Sequence, residues 1–540
     1  MKKSLLIAGV TLLAMVFASC NRQHASYRTL PLDVLKDKIA GGWAGKMIGV
    51  TYGAPTEFQA LGKTFEDSIT WAPKDIIGAI WQDDLYVQLS FLMTMDTYGI
   101  YAPPKKFQEM FARAGFPLWH ANVQARKNYY DSIFPPASGN PVNNLHADDI
   151  DFQIEADYIG FMCPGMPQVQ MQIADSIGHI MNDGDGVYGG IFIGALYSAA
   201  YFENDVQKVI QTALQSIPAE SDYAQAIRDV IRLHAQYPGD WRSAWREFQS
   251  KWGSTHICEA GSAFNIDAKV NGSYVVMGLL YGDGDPARTM EITVRCGEDS
   301  DCNPSNAMAV LGVMKGFSKL PDSYKEGIKK IGDSIFINTD YSFNKAVEST
   351  YHYALKLIAA NGGKINDRDV QIQVELAKAP ALEVSFPDLV FDKNIPVFDK
   401  TAWKSSKGWQ VYRPNGEGNK PGTEQALYSD RKGDEISFTF NGTGVSIYGN
   451  WLRDCGKADV FLDGKFMRII DNWYFHNGQE HQGMSLWHVT GLQQGDHTVE
   501  LVVRGEKRPE ATAAKVYISG AIVFKTLAKK NEGFKYSFED

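Results

Sequence analysis

The chain has 540 residues, 44% hydrophobic and 21% charged, an ordinary globular balance with apolar material for about two to four domains. A formal net charge of −10 excludes a nucleic-acid-binding surface, which needs a basic stripe. The six cysteines contain no CxxC pair, so they read as neither a zinc knuckle nor a disulfide framework, although one disulfide stays open.

In chain order, Lys2 and Lys3 precede an apolar core at 5–16, too short for a permanent membrane span and suited to a secretory signal. Phe17-Ala18-Ser19-Cys20 then reads as a lipobox, so residues 1–20 are expected to be a lipoprotein signal, with Cys20 acylated at the bacterial cell envelope. No later stretch is long and apolar enough to span, so the expected membrane contact is the lipid anchor alone.

Residues 21–360 have helical periodicity: Leu35-Ile39-Trp43, Val87-Phe91-Met95 and Ala307-Val310-Leu311-Met314 recur at three- and four-residue spacing. Gly41, Gly45, Gly49 and Gly53 fall four apart and would line one helix face, a costly stripe that makes sense where another backbone approaches closely. Asn182-Asp183-Gly184-Asp185-Gly186 reads as a turn. Residues 361–398 read as a linker with short strands, where Val370, Ile372 and Val374 alternate and Pro380 and Pro387 punctuate. From 399 to 526 short alternating runs dominate, at 435–440, 445–448, 460–462, 497–503 and 516–518, separated by Gly and Asp turns. They predict an all-β, jelly-roll-like sandwich, with 527–540 as a tail. Trp451, Trp473, Tyr474 and Trp487 suit either a sugar-stacking platform or the sandwich core.

Two acidic clusters each precede a helical run: Gln82-Asp83-Asp84-Leu85 and Gly297-Glu298-Asp299-Ser300-Asp301-Cys302. Each alone reads equally as helix capping. Together they offer four carboxylates to one pocket, where repulsion is relieved by a hard cation with oxygen ligands. A third acidic segment holds Asp148, Asp149 and Glu155; it is either a solvated loop or part of a substrate pocket, binding sugar hydroxyls or supplying a general acid. His256-Ile257-Cys258-Glu259 reads as a structural histidine, with a further polar contribution to the pocket as the alternative.

The run from Gly41 through Gly53-Ala54-Pro55-Thr56-Glu57-Phe58 resembles the opening of the ADP-ribosylglycohydrolase family. Gln82-Asp83-Asp84 is similar to that family's Thr-Asp-Asp motif, and Gly297 to Cys302 to its Gly-Gly-Asp-Thr-Asp-Thr motif. The three motifs fall in the family's order over roughly residues 30–350. The resemblance implies an all-α domain with two Mg²⁺ ions that hydrolyses the bond at the anomeric carbon of a ribose. It implies Glu57, Asp83, Asp84 and Asp299 as catalytic residues. Glu57, Gln82, Asp83, Asp84, Asp299, Asp301 and Cys302 stand at the ligand positions. Gln82 and Cys302 replace threonines of the family, and a cysteine is too soft to serve Mg²⁺ well, which weakens the second ion. The family's Asn-Gly-x-x-Met-Arg loop has no counterpart; the 146–155 segment stands near its place. The final domain resembles galactose-binding-like and carbohydrate-binding sandwiches at Gly442-Thr443-Gly444-Val445 and around Gly491 to His497.

Combined, these features predict an exported metal-dependent hydrolase of a small riboside or other furanosyl carbohydrate, scavenging outside the cytoplasm. Two alternatives stay open: a non-ribosyl glycoside hydrolase on the same fold, and a metal-poor glycan-binding lipoprotein.

Overall fold

A computed structural model describes residues 26–414 and 425–527. Cys20 and its leader lie outside the described residues, as do 528–540 of the expected tail. Among the described residues no helix is long and apolar enough to cross a membrane. The five described cysteines are all buried and unpaired.

The N-terminal domain is helical, and its organising contact is the packing of Leu32–Gly53 on Cys302–Lys315. The four-residue glycine stripe lies on that seam. A Cβ on Gly45 would stand 2.5 Å from the Met308 carbonyl oxygen and 2.8 Å from Ala309 Cα; one on Gly53 would stand 2.5 Å from Asp301 Cα. Only hydrogen fits between the backbones, which is why the helix carries a stripe that would otherwise weaken it. The other face of Leu32–Gly53 buries Leu35, Ile39 and Trp43, the residues whose spacing predicted the helix. Val87, Phe91 and Met95 are buried in Asp83–Tyr98, and Ala307, Val310 and Leu311 in Cys302–Lys315.

One local expectation fails. In the segment read as a turn, Asp183 precedes the helix Gly184–Ala200, whose first turn is Gly184-Asp185-Gly186. The apolar run from Val187 pulls these residues into the core, and Gly184 takes φ +50° where the chain enters. Asn182 becomes a hub: its amide donates to the Ala147 and Asp149 carbonyls at 2.9 and 2.8 Å, and its oxygen accepts the Phe152 N–H at 3.0 Å.

Within 361–398, Asp369–Gln373 pairs with Lys364–Ile365 and with Tyr27–Pro31, closing a small sheet on the helical domain. Leu389–Pro396 pairs instead with the last strand, Val516–Thr526, and belongs to the sandwich. The C-terminal domain stacks a five-stranded antiparallel sheet on a six-stranded one. Glu435–Gly442 lies in the first and Gly444–Trp451 in the second, so the chain changes sheet at Thr443. Asp463 and Gly464, at φ +51° and +75°, form the tight hairpin expected from an Asp-Gly pair. Trp451, Trp473, Tyr474 and Trp487 are all buried, which favours packing over an open sugar platform.

The sandwich docks firmly on the helical domain. The Arg508 guanidinium bridges Asp131 at 2.6 Å and Asp471 at 2.9 Å, Lys127 donates to the Asp471 carbonyl at 2.7 Å, and Tyr130 bonds His476 at 2.8 Å. These contacts fall on the end of His120–Tyr130 and its capping residue Asp131, and the helix's other end reaches the candidate site.

Candidate active site

Three distant segments meet at one wall of a cavity of about 470 Å³. Glu57 follows the short turn Ala54–Thr56 at the end of the glycine-striped helix; Asp83 and Asp84 open Asp83–Tyr98; Asp299 and Asp301 precede Cys302–Lys315. Carboxylates are favourable at the positive ends of these helices, and Asp301 Oδ1 accepts the Cys302 N–H at 2.9 Å as a cap. Bonds to helix-start N–H groups account for Asp301 Oδ1 and for part of Asp83, not for the convergence.

The loop before Asp299 is built for position. Gly297 and Glu298 both adopt left-handed conformations, φ +84° and +55°. For a glutamate this is strained and persists only where surroundings dictate it. Both carboxylate oxygens of Glu298 accept backbone N–H groups, from Gly62 at 2.7 Å and Asn265 at 3.1 Å, and its carbonyl accepts the Phe58 N–H at 3.1 Å. Glu298 thus ties the segment bearing Glu57 to the segment bearing Asp299.

Ligand atoms of Glu57, Asp299 and Asp301 lie within 4.8 Å of one another, as do those of Asp84, Asp301 and Cys302, so Asp301 is common to both groups. Asp299 Oδ1 is buried with no hydrogen-bond partner. Desolvation and mutual repulsion push every carboxyl upward: Asp83 to about 7, Asp299 to about 8, Glu57 to about 9, and Asp84 and Asp301 upward as well. Three oxygen donors with an orphaned buried oxygen and unrelieved repulsion fit a hard divalent cation at Glu57, Asp299 and Asp301. The second group is a poorer host. Cys302 Sγ donates to Asp84 Oδ2 at 3.1 Å, and the buried Lys46 ammonium lies 3.4 Å from Asp84 Oδ1 and 2.8 Å from Asp157. A thiol and an ammonium already occupy Asp84's lone pairs.

Of the other expected residues, Gln82 and Asp83 line the cavity, whereas Asp148, Asp149 and Glu155 do not. The Asp148 carbonyl accepts the Ala268 N–H at 2.9 Å. Asp149 joins His120, His146 and Cys258. Glu155 is buried behind Asn122, whose amide donates to it at 2.5 Å. The residue of this segment that does reach the cavity is Asp151. One of its oxygens accepts the Asn122 N–H at 2.9 Å, and the other is buried without a partner. Sequence reading also passes over Trp81, Tyr86, Trp119, His120 and Asn122 on the cavity wall, and Lys46 beneath it. A lysine inside a buried glycine-rich helix was the one available signal, since such a charge is rarely buried unpaired.

Comparison with known proteins places these features in context. The family model described as ADP-ribosylglycohydrolase matches residues 31–353. A curated relative, the A type blood alpha-D-galactosamine galactosaminidase of Flavonifractor plautii, is 38% identical over 77 residues, 14% of this chain and only 7% of that protein. Among solved structures, an ADP-ribosylglycohydrolase-related protein complex aligns over 60% of this chain and 99% of that chain at 13% identity, TM-score 0.43. A CBM35 from Paenibacillus barcinonensis aligns over 25% of this chain and all of its own (100%) at 10% identity, TM-score 0.17.

Proposed function

The chain belongs to the ADP-ribosylglycohydrolase family, a family of glycosidic-bond hydrolases, and from that premise we propose that it hydrolyses the bond at the anomeric carbon of a ribosyl or other furanosyl group. The observation that carries this reading is the convergence of Glu57, Asp83, Asp84, Asp299 and Asp301 near one cavity with aromatic walls.

Glu57, Asp299 and Asp301 would hold Mg²⁺, which when bound supplies Lewis-acid polarisation of a coordinated oxygen. A second ion beside Asp84 would compete with Lys46. Trp81, Tyr86 and Trp119 offer apolar ring surface to a sugar, leaving its hydroxyls toward the carboxylates. Asp83, on the same wall, is positioned to take a proton from the attacking water. Asp151, oriented by the Asn122 N–H and with its second oxygen unengaged, is positioned to give a proton to the leaving group. Positive charge that develops at the anomeric carbon in an oxocarbenium-like transition state is favoured by the surrounding carboxylates.

A non-ribosyl glycoside is the second reading. It is favoured by Asp151 and Trp119, which line the cavity of a chain that lacks the family's Asn-Gly-x-x-Met-Arg loop. We place the activity at the cell envelope through an acylated Cys20, where the substrate is an external riboside or glycan; mass spectrometry of the mature N-terminus checks that location. The test of function is incubation of the full chain with Mg²⁺ and ADP-ribose conjugates, nucleosides, furanosyl oligosaccharides and pyranosides, reading free sugar. Release from a furanosyl substrate that stops with chelator supports the proposal. Release from pyranosides alone transfers support to the second reading.

A further inference from the structure

A second cluster of ligating side chains sits beside the cavity and belongs to no step above. His120 opens the helix His120–Tyr130, His146 and Asp149 lie in the turn before Asp151–Glu155, and Cys258 lies in the loop before Ala268–Gly282. One ligand atom from each lies within 4.8 Å of every other. The recorded separations are 2.9 Å from His146 Nδ1 to Asp149 Oδ2, 3.0 Å from His146 Nδ1 to Cys258 Sγ, 3.7 Å from Cys258 Sγ to His120 Nδ1, and 3.8 Å from His120 Nδ1 to Asp149 Oδ2. We infer that His120, His146, Asp149 and Cys258 form a structural zinc site that pins the wall of the substrate cavity.

A Cys–His–Asp relay needs the imidazole to face its acid with one nitrogen and its nucleophile with the other. Here His146 presents the same Nδ1 to both Asp149 and Cys258, so it cannot pass a proton between them. His120 turns its own Nδ1 toward the same two groups. Four lone-pair donors all within 4.8 Å of one another suit a cation at their centre. With zinc bond lengths of about 2.0–2.3 Å, tetrahedral donors stand about 3.3–3.6 Å apart, inside the span observed here. The mixture of imidazole, thiolate and carboxylate selects zinc over Mg²⁺, and four protein donors close the coordination shell, the mark of a structural rather than catalytic ion.

The surroundings hold His120 and Asp149 in place, as metal ligands require. The His120 ring stacks on Phe264, with centroids 5.4 Å apart and planes at 21°. The Asp149 backbone is fixed by Asn182, and the next residue's N–H bonds the Ile266 carbonyl at 2.9 Å. Asp149 and Cys258 are buried, and the His120 and His146 side chains are only 23% and 12% exposed. On binding, the Cys258 thiol loses its proton to solvent and the thiolate joins the ion. The site ties together the segments bearing His120 and Asp151, both of which line the cavity.

The test is metal analysis of the purified full chain, followed by chelator stripping and refilling with Zn²⁺ or Co²⁺. The expected result is one zinc per chain, or uptake of one by stripped protein, with Co²⁺ producing a thiolate-to-cobalt charge-transfer band. Cys258→Ser should abolish the band and weaken zinc by more than the roughly 10–100-fold typical of losing an outer-shell partner. Asp301→Asn should leave both zinc and band intact, which separates this site from the acidic one. The band on wild-type protein needs no variant to fold. A chain that takes up neither zinc nor cobalt, or whose zinc is indifferent to Cys258→Ser, overturns the inference.

Discussion

Replacing Gly53 by alanine tests whether the glycine seam positions the acidic site. The new Cβ would stand 2.5 Å from Asp301 Cα and 2.7 Å from the Ser300 carbonyl carbon, both backbone atoms with no rotamer to yield. Ordinary contact begins near 3.4 Å and the Ser300 carbonyl oxygen lies closer still, so the segment carrying Asp299 and Asp301 must retreat from the segment carrying Glu57 by about 1–1.5 Å. Alanine gains up to about 1 kcal/mol of helix propensity over glycine, while overpacking costs typically about 1–3 kcal/mol, so a net loss of about 1–2 kcal/mol is expected. A displacement near 1 Å costs on the order of 100-fold in turnover where geometry matters. Two controls separate the effects. In Gly41→Ala, at the far end of the seam, Cβ would meet the Gly312 carbonyl carbon and Phe317 N at 2.9 Å; it should destabilise similarly yet spare Mg²⁺ affinity. Gly78→Ala places Cβ 3.7 Å from Thr51 Cγ2 and should be neutral. Urea unfolding measures the stability, and calorimetric Mg²⁺ titration the metal affinity that Gly53→Ala should weaken. Gly53→Ala with wild-type stability and Mg²⁺ affinity would refute the reasoning.

Lys46→Met leaves Asp84 and Asp157 without their buried cation and should cost about 3–5 kcal/mol in urea unfolding; a loss below about 1 kcal/mol would show that the ammonium does not hold these two carboxylates. The pair His179–Glu383, 3.1 Å apart, tethers the helical domain to the segment leading into the sandwich. Burial opposes the imidazolium, but Glu383 and the Asp175 carbonyl raise His179 to about 9, above its ordinary 6.5. The folded state therefore binds more protons, so this stability is fully present below pH 6.5 and lost as pH rises through 9. After discounting the partly exposed Glu383, His179→Gln should cost about 1 kcal/mol at pH 6 and nothing above pH 10; a pH-independent difference would contradict this.

Much of this molecule was legible where information is local. Leu35-Ile39-Trp43 and the four-spaced glycines specify a helix and the face it offers to a close neighbour, and both clusters of adjacent carboxylates announced their helix starts. What the residues cannot announce is which side of a turn faces a cavity. Asp148, Asp149 and Asp151 are alike in sequence, but the bond from Asn122 N–H and the bridge from Asp149 to Asp267 decide that only Asp151 reaches the cavity. His120, His146 and Cys258 come from three segments with no common spacing, so their meeting is a property of the tertiary fold alone. The four aromatic residues of the sandwich suited core and platform equally; in the structure all four are buried, with Arg508 and Tyr130 against Trp473 and Lys127 over Trp451.

The central claim is that the converging carboxylates bind a divalent ion, and Asp301, common to both groups, is where it can be tested most directly. Asp301→Asn keeps the side chain's volume and its capping oxygen for the Cys302 N–H while deleting one repelling charge. The measurement is the rise in melting temperature that Mg²⁺ induces in the full chain, wild type against Asp301→Asn. Without metal the variant should melt at or above the wild type, because repulsion is relieved. With Mg²⁺ at about 100 times its dissociation constant the wild type should gain about 2.7 kcal/mol, and the variant little or none. Equal Mg²⁺-induced shifts in the two proteins, or none in the wild type, would contradict the account.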